Sequence, residues 1–158
     1  METNQLVEKP KKVKNGVKFL YYGLLIYVIS GCYSFIFNLN NYYSLSINNT
    51  YKMSFHAFSL EFVIVRVIMF LIFLYIIYKI SKGSGTSRNV LLVLFILFVL
   101  DGLWISLGLH GLGIIPHILG YVFLILFIIG FVFLYSSPSR KWFHEKKKES
   151  MTNKLKTM

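Results

Sequence analysis

Two residues of opposite charge, Arg66 and Asp101, lie inside long apolar runs of this chain. Their types and positions could support chemistry. Trp104 lies close to Asp101 in the same run, and His117 lies in the next. A charged side chain at the centre of a bilayer costs at least about 2.5–3.5 kcal/mol, so such residues pair with each other or mark a pathway for a substrate, ion or proton. We therefore predict an intramembrane polar cluster of Arg66, Asp101, His117 and Trp104.

The depths of the two charges agree with a direct bridge. If the outer ends of their runs lie near Glu61 and Leu109, Arg66 is about 7 Å deep and Asp101 about 12 Å at the helical rise per residue. A long arginine side chain spans that difference. The bridge could be a structural clamp between helices or part of a working site, and both interpretations stay open. A third interpretation has no bridge, and Arg66 then reaches outward to water.

The residue inventory argues against most enzyme chemistry. Six of the 158 residues are acidic and Asp101 is alone in its run, so a paired-carboxylate site is not expected. Cys32 is the only cysteine, which excludes a disulfide within the chain and a multi-cysteine zinc site. A metal site would have to use His110 and His117 with Asp101 or His56, but no H-x-x-x-H or H-E-x-x-H spacing is present. We predict no catalytic residue, no cofactor and no metal ligand.

The elements that position these residues are four apolar runs, in a chain that is 56% hydrophobic and 15% charged. A helix crosses a bilayer with about 20 predominantly apolar residues. In lipid the backbone must satisfy its own hydrogen bonds, so the many Ile, Val and Phe residues do not argue for strands. The sequence predicts an all-α fold, an integral membrane four-helix bundle with short loops. The predicted spans are about 17–37, 61–80, 89–109 and 112–135, within a transmembrane domain at 17–136.

A cleavable signal peptide is the alternative interpretation of the first run, because five lysines precede it. The apolar stretch at 19–37 is longer than the 7–15-residue core of a signal peptide and is not followed by an A-x-A-like cleavage site. We therefore interpret the run as the first span.

The distribution of basic residues predicts the orientation. Fifteen of the 17 lie before or at the start of the first span, at the connection between the second and third, or after the fourth. Cytoplasmic loops carry the excess of Lys and Arg, so the tails at 1–16 and 137–158 are predicted to be cytoplasmic in a multi-pass protein of the cell membrane. The net charge of +11 then indicates attraction to anionic lipids of the inner leaflet. No nucleic-acid recognition fold is visible, so nucleic acid is not a predicted partner.

Small residues predict where helices approach each other, since close backbone contact in lipid needs short side chains. The fourth span carries Gly120 and Gly130, and we expect a larger residue at Gly120 to disrupt folding. The second span has no small residue and is predicted to pack at the periphery, with Arg66 as its polar attachment. The short external turn predicts that spans three and four form an antiparallel hairpin. The other small residues are Gly23, Ser30, Gly31 and Ser34 in span one, Gly102, Ser106 and Gly108 in span three, and Gly113 in span four.

Three stretches resemble small uncharacterised bacterial four-span membrane proteins. They are the Gly-containing basic turn from Lys82 to Arg88, the arginine in the outer part of span two, and the exit Ser137-Pro138-Ser139-Arg140-Lys141-Trp142-Phe143. The turn has neither the preceding strand nor the glycines of a phosphate-cradling loop. The resemblance implies the topology, and it leaves the function open because such families have no established activity.

Two functional hypotheses follow. The leading one is a non-enzymatic integral membrane protein that acts through helix–helix contacts, as an accessory subunit or a small protective, immunity-type protein. Its partner would be another membrane protein or a second copy of the chain. The alternative is a small oligomeric transporter or channel with Arg66 and Asp101 in its path. A membrane enzyme is third, because no nucleophile–base or carboxylate pair is visible.

Overall fold

The computed structural model describes the backbone of residues 8–46, 55–108 and 114–156, and side chains at 8–36, 63–100, 115 and 117–152. Within those ranges the secondary structure is helical and contains no strand, which confirms the all-α prediction. The five helices are α1 (Lys11–Ser46), α2 (Phe55–Ser81), α3 (Gly85–Gly108), α4 (Ile114–Leu134) and α5 (Ser137–Lys156).

Three of the helices are long and apolar enough to cross a membrane, through the stretches Lys11–Ile36, Val63–Ser81 and His117–Leu134. In α3 the apolar stretch Gly85–Leu100 is shorter, and it ends at the last side chain of that helix that the structure describes. Helices of this length and composition are those of a membrane protein. Where the structure describes the backbone, the predicted spans at 17–37, 61–80, 89–109 and 112–135 coincide with α1, α2, α3 and α4, except that Tyr135 follows the end of α4.

Two helices extend beyond the predicted spans. Helix α1 begins at Lys11, six residues before the predicted start of the first span, so the lysine-rich segment continues the same helix. Helix α5 occupies most of 137–158, which the sequence indicated only as a tail. It begins with Ser136 accepting the Arg140 amide at 3.0 Å and with Pro138 in its first turn, where the missing N–H is not needed.

The connection between α2 and α3 is a tight turn built on Gly83. Its φ of +98° lies in the left-handed region, and its amide donates to the Ile80 carbonyl while the Ser84 amide donates to Lys79. This pair of bonds ends α2 in a Schellman motif. The Ser84 hydroxyl then accepts the Ser87 amide at 3.2 Å and caps the start of α3.

Helices α1 and α4 pack antiparallel with large residues seated against glycines. A methyl group added at Gly23 would lie 2.5 Å from the Phe127 ring, and one added at Gly130 would lie 2.9 Å from Leu20. Gly16 belongs to the same contact, because a Cβ added there would lie 3.0 Å from the Gly130 carbonyl oxygen. The predictions for Gly23 and Gly130 are therefore confirmed.

The prediction for Gly120 is wrong. No heavy atom of the described residues lies within 4 Å of the position that its Cβ would occupy. Gly120 lies on a different face of α4 from Gly130, and ten residues amount to 2.8 helical turns, which do not return to the same face. The face of a glycine thus depends on how the helix is rotated against its partner.

Aromatic rings fill the space between the helices. Phe73 of α2 and Phe127 of α4 are fully buried, and their centroids lie 5.9 Å apart. Phe95 of α3 stacks on Phe127 at 5.2 Å, and Phe98 meets Phe123 one turn further along, so α3 and α4 run antiparallel. Helix α2 packs through bulky side chains, as predicted, and its buried residues are Phe73, Ile76, Ile77 and Ile80.

Candidate functional site

Arg66 of α2 faces α1. Its guanidinium carbon lies 5.4 Å from the centroid of the Tyr27 ring, and Nη1 lies 3.5 Å from where a Cβ on Gly31 would be. A cation over a tyrosine face is stabilised by about 0.5–2 kcal/mol, depending on how far it is desolvated. Gly31 leaves room for the arginine against the α1 backbone, and Arg66 therefore attaches α2 to α1.

Two members of the predicted polar cluster, Asp101 and Trp104, have side chains outside the described residues. The Arg66–Asp101 bridge therefore stays a prediction. His117 lies half-buried near the start of α4. Among the side chains that the structure describes, no three His, Cys, Asp or Glu residues are grouped so that they could hold a metal ion.

The second candidate site lies where four helix ends meet. We call this region the basic end; it comprises residues 9–18, 79–88 and 135–152. Lys9 Nζ donates to the Ser81 carbonyl at 3.1 Å and joins the start of α1 to the last turn of α2. Burial lowers the pKa of the Lys9 ammonium from its usual value, and the charges of Lys14 and Lys82 lower it further. Lys14 and Lys82 are thus close enough to Lys9 for their charges to act on it.

Arg88 joins three helices at the basic end. Its Nη1 donates to the Leu134 carbonyl at 3.1 Å, which satisfies one of the last carbonyls of α4. The guanidinium lies over the Tyr135 ring at 4.2 Å and over the Phe143 ring of α5 at 4.9 Å. Tyr135 in turn donates its hydroxyl to Asn89 Oδ1 at 2.7 Å. Arg88 is thus held in one position by a carbonyl and two rings.

Helix α5 docks on the turn between α2 and α3. Trp142 and Phe143 are each 4% exposed although α5 is otherwise polar. The Trp142 ring lies 3.3 Å from where a Cβ on Gly83 would be, and Lys146 Cγ lies 3.0 Å from it. A glycine is therefore required at position 83 for two reasons, the positive φ of the turn and the space that α5 occupies.

A cavity of about 1080 Å³ opens between the start of α3 and α5, and we call it the basic cleft. The hydroxyl groups of Ser84, Thr86 and Ser150 contribute to its lining. Its one lining carboxylate, Glu149, accepts a bond from Lys146 at 2.7 Å. The basic residues of the lining are Lys82, Arg88, Arg140, Lys146 and Lys147, with His144 beside them.

Sequence reasoning missed the basic cleft. It noted the turn from Lys82 to Arg88 and the lysines after the last span as separate features, and it excluded the turn as a phosphate-cradling loop. The adjacent Trp142 and Phe143 in an otherwise polar segment were the one available signal, since two large apolar residues there indicate a docked helix.

No family model matches the chain. Neither a curated protein nor a solved structure is significantly similar to it. The likeness to small four-span bacterial proteins accordingly stays a prediction, and functional conclusions rest on the geometry of the molecule.

Proposed function

We propose that the protein is a multi-pass protein of the cytoplasmic membrane, with four spans packed as a bundle and both termini in the cytoplasm. Support comes from the basic end, where the start of α1, the turn between α2 and α3, and α5 lie together. Because cytoplasmic segments carry the excess of Lys and Arg, this end belongs on the cytoplasmic side. It would face the anionic lipids of the inner leaflet.

In that membrane the protein acts without catalysis, through helix–helix contacts, as an accessory subunit or a small protective protein. The observation that supports this proposal is the contrast between a closely packed aromatic interior and an exposed apolar surface. The interior is filled by interlocked rings such as Phe73, Phe95 and Phe127. Large apolar side chains cover the outside of α2 and α4; Leu71 is 54% exposed and Val132 67%. These outer faces are the surface available to lipid, to a membrane partner or to a second copy.

The second candidate is a small transporter or channel, and Arg66 is the observation that favours it. The charge lies half-buried in the apolar stretch Val63–Ser81. Phe123 and Phe127 are buried and their ring centroids lie 4.5 Å apart, so side chains fill the interior of one chain at this level. A conducting path would therefore run between copies and use Arg66 at its wall.

Photo-crosslinking separates the two candidates. A photoreactive amino acid is placed in cells at successive exposed positions of α2 (Val67, Leu71, Tyr75 and Tyr78), with the buried Phe73 as the control. A contact protein gives a discrete crosslinked product at positions three or four residues apart, because a helix presents one face to a partner. In parallel, ion flux is measured in proteoliposomes with the wild-type chain and with Arg66→Gln. Flux through the wild-type chain that Arg66→Gln abolishes would establish the transporter instead, with crosslinks confined to copies of the chain itself.

A further inference from the structure

We propose that the basic cleft is a specific binding site for a phosphate group that carries two negative charges. Phosphate monoesters of soluble metabolites and the headgroups of acidic phospholipids such as phosphatidic acid share this chemistry. A specific site differs from the diffuse attraction that any basic surface has for an anionic membrane, because it depends on particular residues.

The charge of the cleft is the first argument. Five lysine and arginine side chains line it and Glu149 is the one carboxylate, itself bonded to Lys146. Clefts lined by charges of one sign concentrate the electric field and raise the local concentration of counter-ions. An anion placed there relieves the repulsion among Lys82, Arg140 and Lys147, which reach the cleft from the α2–α3 turn and from α5.

The donors of the cleft suit a phosphate oxygen. Gly85 and Thr86, at the start of α3, line the cleft together with Lys82 of the preceding turn. The first amides of a helix have no carbonyl partner within the helix, and its N-terminus carries partial positive charge. Lysine and arginine add charge-assisted hydrogen bonds to phosphate oxygens. The lining therefore combines backbone donors with mobile and fixed cations.

Arg88 makes the cleft a built site rather than a loose group of lysines. The Leu134 carbonyl and the rings of Tyr135 and Phe143 fix its guanidinium. Its Nε is buried and has no acceptor among the described residues. A cation already held in place loses little conformational entropy when a ligand binds, which favours affinity.

The position and size of the cleft agree with a lipid headgroup or a small phosphorylated molecule. Ligand pockets have volumes of about 300–1,000 Å³, and the cleft is near the upper value. Phe143 and Met151 add apolar surface to its lining. Arg88 connects the cleft to the last turn of α4, where the apolar stretch His117–Leu134 ends. A lipid headgroup of the inner leaflet would reach this level of the protein. This arrangement rests on the proposed orientation, but the binding of phosphate does not depend on that orientation.

The test uses the purified full-length protein and a matched pair of variants. The cleft variant carries Lys82→Gln, Arg140→Gln and Lys147→Gln, and leaves Arg88 in place to protect the fold. The control variant carries Lys11→Gln, Lys12→Gln and Lys18→Gln, which removes the same charge from exposed positions of α1. Circular dichroism and thermal unfolding without ligand establish that both variants are folded.

Binding is measured with two probes, inorganic phosphate in detergent and nanodiscs of phosphatidylcholine with or without phosphatidic acid. We expect at least one probe to bind the wild-type chain, the cleft variant to lose at least tenfold in affinity, and the control variant to retain it. Binding of phosphatidic acid that millimolar inorganic phosphate does not displace identifies a lipid headgroup, and the reverse identifies a soluble phosphate.

Three results would overturn the proposal: equal losses in the two folded variants, which indicate diffuse attraction; wild-type affinity in the cleft variant; and no binding of either probe. A wrong orientation can be distinguished from a wrong binding site. It would change the location of the topology reporters and leave the binding of inorganic phosphate in detergent unchanged.

Discussion

At the scale of single residues, glycines set the distance between α1 and α4. Phe127 occupies the space over Gly23, and Leu20 occupies the space over Gly130. Each large residue of one helix thus enters a gap that a glycine leaves on the other. Close approach is how helices gain packing energy in lipid, where no hydrophobic force drives them together.

Gly130→Leu is expected to destabilise the protein, because the new side chain collides with Leu20 and with the backbone of Gly16. Overpacking of this kind typically costs about 1–3 kcal/mol. Gly120→Leu is the matched control on the same helix, where no heavy atom of the described residues lies within 4 Å of the added Cβ. The measurements are accumulation in the membrane and the thermal unfolding midpoint in detergent. Equal behaviour of the two variants would contradict the packing of α1 on α4.

At the scale of elements, α5 is a polar helix that packs on the apolar helices through a small set of residues. Trp142 and Phe143 are its buried residues next to the turn at Gly83. Arg88 reaches α5 through the Phe143 ring and reaches α4 through the Leu134 carbonyl. The attachment of α5 therefore combines the burial of Trp142 and Phe143 with one arginine from a third helix.

Arg88→Leu should release α5 without unfolding the spans. The contact of the Arg88 guanidinium with the Phe143 ring of α5 contributes about 0.5–2 kcal/mol, so local opening of α5 should increase about twofold to thirtyfold. Limited trypsin digestion after Lys146, Lys147 and Lys148 measures this opening, with membrane accumulation recorded alongside. Lys141→Gln, at an exposed position of α5, is the control and should leave the digestion rate unchanged. A digestion rate in Arg88→Leu equal to that of the control would show that Arg88 does not hold α5.

At the scale of the whole molecule, antiparallel packing collects basic residues at one end. Lys9 meets the end of α2, and Arg88 meets the end of α4. In the sequence, the segments between α1 and α2 and between α3 and α4, residues 47–54 and 109–113, contain one basic residue, Lys52. This asymmetry is the physical basis of the proposed orientation, since segments rich in Lys and Arg remain in the cytoplasm.

Reporter fusions test the orientation. We expect reporters placed after Met158 and within the turn at Gly85 to be active in the cytoplasm, and one placed at Asn48 to be active outside. The expectation follows from the charge asymmetry, and paired reporters that function on opposite sides of the membrane supply the measurement. A cytoplasmic location for Asn48 would overturn the four-span arrangement, because it means that the first span does not cross.

Composition and run length alone determined that the chain is helical and suited to a membrane. Lipid offers the backbone no hydrogen-bond partners, so the apolar runs before and after Arg66 had to be helices whatever their strand propensity. The same local reasoning placed Gly23 and Gly130 at helix contacts. These conclusions need only the residues of one segment and the solvent around it.

Only the tertiary structure decided which faces meet. The rotation of each helix, set by its partners, leaves Gly120 open and brings Gly16 into contact. It also directs Arg66 to Tyr27 of α1. The basic cleft joins Lys82 to Lys147, which are far apart in the sequence and meet only because Trp142 and Phe143 dock α5. Contacts of this kind depend on the packing of several elements at once, and no pattern within a single segment encodes them.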